Sequence, residues 1–346
     1  MNNSSSYQLK QTLLDQYLKV EFISAIFLTV LSPLTVSANT LLLATVWRNP
    51  LGCFRTPTIY FTIGLALADL LCGLTVEPLF ALFYYSKYFQ LQDPNTRALI
   101  KTLYKVGGGI STVTVSTSYL LVLGLSACQL IAVRFPHRYK QIVTKRRVFS
   151  YVLCSWLYFF LFRAIQLTGI DLKTLLKVDV FLHSTLISVV LLAVHILMYQ
   201  SLKKQALKRR AAATRERSGL ELSVEMSPNF QHLKWKSPRR NRKSGTAELR
   251  RKHYFEKQIT VLAAHLASIL LVSACCHITV LNILLYKKVE SFQEEVYINI
   301  AVRASDLMLF LKVAVDAFVY AWRLPTYRKA FILTICPKFE EPQLMI

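Results

Sequence analysis

The chain has 346 residues, 53% of them hydrophobic, and a formal net charge of +23. A mean hydropathy of +0.37 over this length is too apolar and too evenly spread for one or two water-soluble domains. Lipid satisfies no exposed backbone group, so the chain reads as a set of membrane-crossing helices, each needing about 20 mainly apolar residues.

Residues 1–21 are polar and mixed in charge and are expected to form an extracellular tail without a secretory signal, the first span itself directing insertion. Asn2-Asn3-Ser4 and Asn3-Ser4-Ser5 make Asn2 and Asn3 overlapping glycosylation acceptors. The apolar pattern then predicts spans near 22–47, 56–85, 99–132, 147–169, 176–205, 253–286 and 294–322, an all-α seven-helix bundle over 22–322. A basic stretch at 206–250, rich in Ser, Arg, Glu and Pro at its centre, is expected to be a largely disordered intracellular loop. Beyond the last span, residues 323–346 form an amphipathic helix and a cytoplasmic tail. Leu324, Tyr327, Phe331 and Ile335 recur three and four apart with Arg328 and Lys329 between them, which suits a helix lying in the inner interface. Cys336 at its end is a candidate palmitoylation site.

The charge sets the orientation. Arg48 and Arg55, then Arg134 to Arg147, then the run from Lys203 to Lys252 fall in alternate connections, while those near 86–98, 170–177 and 286–294 carry Asp93, Asp171 and Glu290. The positive-inside rule places the N-terminus outside and the C-terminus in the cytoplasm. "SPRRNRKSG" at 237–245 also has the composition of a phosphate binder, but beside a membrane its partner is anionic lipid and not nucleic acid. No cysteine falls in an external segment, so no structural disulfide is expected. His183, His195, His265 and His277 are scattered without an acid-rich ligand pattern, which argues against a metal site or an intramembrane hydrolase and for a protein with neither enzymatic activity nor cofactor. Internal repeats and paired broken helices, the marks of a transporter, are not seen.

Several stretches together resemble the rhodopsin-like class of G protein-coupled receptors. Asn39 in "SANTLLL", Asp69 closing "RTPTIYFTIGLALADLL", "LSACQLIAVRFPHRYKQIVTKRRV" at 125–148, Trp156, and "DAFVYAWRLPTYRKAF" at 316–331 match its first, second, third-to-fourth, fourth and seventh spans. The short loop after the fourth span, Tyr104 in place of the usual cysteine, a fifth span without proline and Asp316 are similar to the melanocortin, lysophospholipid, cannabinoid and adenosine receptor group. The resemblance implies a plasma-membrane receptor with an external ligand, lipid or peptide, a heterotrimeric G protein and arrestin as partners, and homo- or hetero-dimers.

The resemblance also marks what is altered. The acid-Arg-Tyr triplet that ends the third span is here Cys128-Gln129-Leu130, and neutral Gln129 forms no charged latch with an acid such as Glu256. "SACC" at 273–276 replaces the sixth span's tryptophan-proline hinge, Ala317 replaces a proline, Tyr320 remains, and His195 stands near the fifth span's inward tyrosine. The same changes motivate the alternative of a receptor-derived decoy, scavenger or dimerisation partner.

At membrane depth, Asp69, Lys312 and Asp316 form the most specific set. Lys312 and Asp316 are four apart, hence on one helix face, and the resemblance brings that face toward Asp69, Asn39 and Ser118, where relatives hold sodium. The Lys312 ammonium reads either as a tethered replacement for that ion or as a structural ion pair. It is not placed as a retinal lysine: opsin lysines lie six residues before the motif position, where Phe310 stands, about 200° away around the helix. Nearer the outside, Glu77, Lys105, Ser111, Arg163, Gln166, Arg303 and Asp306 are expected to line a ligand pocket of mixed charge.

Overall fold

In the computed structural model, residues 2–52, 54–225 and 242–336 are described. α1 runs unbroken from Asn2 to Arg48. The expected tail is therefore helical: Lys19 pairs with Asp15 one turn away at 2.7 Å, and Leu13 and Glu21 are buried. The hydropathy that suggested a start near 22 registers lipid contact, whereas helix formation there follows from good helix formers and packing. α1 ends in a tight turn in which Asn49 and Gly52 take left-handed backbone angles and the Asn49 side-chain oxygen accepts from the Phe54 amide at 3.2 Å.

The second rod is α2 (Ile59–Leu71), a wide π segment (Cys72–Val76) and α3 (Glu77–Tyr88) in continuous succession. The Ser32 hydroxyl of α1 donates to the Gly73 carbonyl within the π segment at 2.9 Å. Gly73 permits that approach, because a Cβ there would lie 2.9 Å from the Thr35 side chain.

The third rod is α4 (Pro94–Arg134), capped by Asp93, whose carboxylate accepts from the Thr96 amide at 2.8 Å. The Thr96 hydroxyl and amide hold the Asp93 carboxyl below the usual carboxylate range. α4 is the central post of the bundle and packs on α2, α3, α8 (Ile187–Glu225) and α9 (Arg242–Tyr286). After the short α5 (Pro136–Ile142) comes α6 (Lys145–Ala164), which ends in a 3-10 turn and left-handed Gly169.

The fifth rod is α7 (Leu172–Val178), a second π segment (Asp179–Leu186) and α8. The sixth is α9 and the seventh α10 (Phe292–Arg323), with α11 (Pro325–Ile335) following Leu324. In place of a disordered loop over all of 206–250, α8 continues to Glu225 and α9 starts at Arg242, as its alanine, lysine, arginine and glutamate content favours; 226–241 lie outside the described residues. Arg48 donates to the Thr334 carbonyl at 2.7 Å, and Tyr327 packs 6.3 Å from Phe54, so α11 is tied to the start of the bundle.

Two apolar clusters fill the bundle. One joins Leu42, Phe61, Leu125, Leu191, Leu266 and Tyr320; the other, toward the opposite end, joins Leu28, Val76, Phe80, Tyr84 and Phe310. Among the described residues five helices are long and apolar enough to cross a membrane, whereas α6 and α10 fall short. α10 does so because Arg303, Asp306, Lys312 and Asp316 dilute its hydropathy, yet Arg303, Lys312 and Asp316 are buried in the bundle and face no lipid.

Gly124 marks a close approach of α4, α2 and α6: a Cβ there would lie 2.6 Å from the Tyr151 ring and 2.7 Å from the Phe61 ring. Gly124→Ala is expected to cost about 1–3 kcal/mol through forced ring displacement, read as a lowered unfolding midpoint of the detergent-purified protein. An unchanged midpoint would contradict the contact.

Candidate functional site

The polar residues expected to act together separate into three places. The first is at mid-bundle. The Lys312 ammonium lies 2.6 Å from Asp316 Oδ2, with the two side chains 4% and 1% exposed. Lys312 shares with Asp69 and Ser118 a small cavity of about 10 Å³, also walled by Cys72, Thr114 and Val313. That is room for about one water. Ser118 donates to the Thr114 carbonyl at 3.0 Å, and Asp69 Oδ1 is buried without a hydrogen-bond partner. Asn39 is fully buried and donates to the Thr35 carbonyl of its own helix at 3.0 Å. The periodicity of α10 had brought Lys312 and Asp316 together; packing adds Asp69 and Ser118.

The second place is the end of the bundle near the 86–98 connection. Arg303 Nε donates to both Glu21 carboxylate oxygens at 3.1 Å, and its Nη1 reaches the Tyr84 hydroxyl at 3.3 Å and the Tyr104 hydroxyl at 3.5 Å. The guanidinium also lies 4.3 Å from the Tyr84 ring centre and 3.8 Å from Asp306, and His277 Nδ1 approaches Asp306 at 3.6 Å and the Ser305 hydroxyl at 3.1 Å. Arg303 and Asp306 are thus spent on internal partners. Glu77 is fully buried and accepts from Thr35 of α1 at 3.1 Å, and the Ser111 carbonyl accepts from Thr114 at 3.1 Å. Lys105, Arg163 and Gln166 lie apart from these, on a groove between α4 and α6.

The third place is the opposite end. Gln129 is 2% exposed, and its side-chain oxygen accepts from Thr260 of α9 at 3.0 Å. Where the resemblance puts a charged lock, α4 and α9 are joined by a neutral hydrogen bond. Gln129 lines a cavity of about 330 Å³ with Arg55, Tyr139, Lys140 and Ile259. Cys128 and Leu130 are half-buried, and the Glu256 side chain lies outside the described residues. Gln205 donates to the Val133 carbonyl and Arg323 meets His265, so α8 holds α4 and α10 holds α9 at this end. His195 is half-buried with Nδ1 near the Leu191 carbonyl at 2.9 Å, and Tyr320 is buried against Leu42, Thr62 and Leu125. The side chains of Asn2 and Asn3 lie outside those described; Cys336 is exposed just beyond α11.

Sequence reasoning missed two features. Glu21 fell within the expected tail of residues 1–21 and was given no role. Asp179, His183, Ser116 and Tyr158 form a cross-helix chain: His183 Nδ1 lies 2.8 Å from Asp179, its Nε2 lies 2.9 Å from the Tyr158 hydroxyl, and Ser116 donates to Asp179 at 3.3 Å. The four-residue spacing of Asp179 and His183 was the available signal. Among the described residues no group of three metal-ligating side chains occurs.

Seven rods around a central third helix, with a short eighth helix lying across the end, define the rhodopsin fold. The solved structure of squid rhodopsin matches with a TM-score of 0.66 over 92% of this chain and 86% of that one, at 14% identity. In sequence, the alpha-1A adrenergic receptor of Cavia porcellus is 29% identical over 134 residues, 38% of this chain and 26% of that receptor. That of Oryctolagus cuniculus is 30% identical over 99 residues, 29% of this chain and 20% of that receptor. The chain thus spans about a quarter or less of the length of the curated relatives it matches. No family model matches it.

Proposed function

We propose that the chain is a rhodopsin-like receptor of the plasma membrane, N-terminus outside, that binds an external lipid or peptide and signals through a heterotrimeric G protein. The observation that carries this reading is the Gln129–Thr260 bond: the inner ends of α4 and α9 are still coupled at the position of the receptor gate, through neutral groups. A hydrogen bond of this kind contributes a net ~0.5–1.5 kcal/mol, so the contact permits a ligand-driven shift between two arrangements. The partial matches to adrenergic receptors support the class, while the melanocortin, lysophospholipid, cannabinoid and adenosine group rests on the loop and residue choices given above. Arrestin, anionic lipid at the basic connections and a second receptor copy are the further partners of this reading. No enzymatic activity is assigned, Asn2 and Asn3 are taken as glycosylated and Cys336 as palmitoylated. In the same reading Lys312 is a tethered cation that stands where relatives bind sodium.

A second reading, a non-coupling decoy, scavenger or dimerisation partner, is favoured by Ala317 and by the absence of tryptophan and proline between 256 and 286. Gln129→Arg separates the two. Measured by G protein and arrestin recruitment in cells, without ligand and across a lipid and peptide panel, the variant is expected to signal several-fold more than wild type. No recruitment by either form assigns the decoy reading; signalling by wild type that is abolished in the variant overturns the account of the gate.

A further inference from the structure

A groove of about 860 Å³ lies along α4, walled by Lys105, Gly108, Gly109, Phe160, Arg163 and Gln166 among others. Phe160 and Val106 on its wall are exposed, so the groove opens on the outer surface of the bundle, while buried Phe80 and Val113 line its inner part. Its size is that of pockets holding small organic ligands, roughly 300–1,000 Å³. Glycine carves it: at Gly108 a Cβ would meet nothing within 4 Å, and at Gly109 it would lie 3.0 Å from the Arg163 guanidinium. Arg163 is therefore laid flat on the bare backbone of α4. Lys105 and Gly109 are four residues apart, hence on one face, so both cations share one end of the groove. Among the described residues neither cation makes an ion pair or hydrogen bond. Asp179, on the neighbouring π segment, is committed to His183 and Ser116.

An apolar trough on the outer surface of the bundle, closed at one end by two cations that make no ion pair, has the chemistry of an amphiphile site. Lys105 is exposed and Arg163 half-buried, so both are open to an arriving anion, and a guanidinium takes a carboxylate through two parallel bonds. We infer that this groove binds a single-chain fatty carboxylate, its head on Arg163 and Lys105 and its chain over Gly108 toward Phe160. Neither Arg303 nor Glu21 lines the groove, although Tyr104, whose hydroxyl meets Arg303, forms part of its wall; its occupancy is independent of whether the chain signals.

The test uses the full chain in nanodiscs of phosphatidylcholine and tritiated oleate as the probe. Wild type is expected to take up oleate saturably, with methyl oleate competing at least tenfold more weakly. Lys105→Gln combined with Arg163→Gln, and separately Gly108→Leu, are each expected to weaken oleate at least tenfold. Gly108→Leu places its side chain in open space, so it tests the groove even if the double variant fails to fold. No saturable uptake, methyl oleate competing within tenfold of oleate, or less than a tenfold loss in Gly108→Leu overturns the assignment.

Discussion

Replacing Lys312 by methionine is expected to be the most damaging single change in the bundle, lowering stability by about 3–5 kcal/mol. The ammonium is 4% exposed and sits 2.6 Å from Asp316, with Asp69 on the same small cavity. Removing it leaves two carboxylates at membrane depth with no cation, a state penalised far more than the pair itself is rewarded. Adding Asp316→Asn to Lys312→Met removes one stranded carboxylate and is expected to recover a substantial part of the loss, measured as the unfolding midpoint in detergent. Lys312→Met that melts with wild type would remove the buried cation from any structural role. Sodium separates the tethered ion from an ordinary ion pair. Wild type is expected to melt identically in sodium and choline chloride at constant ionic strength. Lys312→Ser, which opens the cavity, is expected to gain stability in sodium, about 1.4 kcal/mol at a tenfold excess over its Kd. A strong sodium dependence in wild type would defeat the tethered-cation reading.

Arg303→Met is the second large effect, again about 3–5 kcal/mol, because one guanidinium serves Glu21, Tyr84, Tyr104 and Asp306 at once. Glu21 is fully buried and would be left facing Asp306 with no cation between them. Arg303→Lys is expected to lose part of this, since an ammonium lacks the planar fork that bonds a carboxylate while lying over the Tyr84 ring. The double variant Glu21→Gln with Arg303→Met should be more stable than Arg303→Met alone, a coupling that a double-mutant cycle in thermal unfolding measures. Additive losses would show that α1 and α10 are not joined through this pair.

The sequence by itself determined the number and order of the rods, because lipid demands apolar stretches of fixed length and basic residues gather between alternate pairs. It determined the Lys312–Asp316 pair too, since four residues on a helix is a local distance. It also showed Gln129 to be neutral. Only the tertiary structure decided what Gln129 touches, because Thr260 lies 131 residues away and no periodicity links them. The same holds for Glu21 and Arg303, 282 residues apart, whose contact separates Arg303 and Asp306 from the Lys105–Arg163 groove that they had been expected to share. The helical course of residues 2–21 was hidden for a related reason: hydropathy reports what a segment's side chains do in lipid, while the helix there is held by partners that only folding supplies. Local spacing fixes which groups lie on one face; the packing of rods fixes which faces meet, and a buried charge is defined by the face it meets.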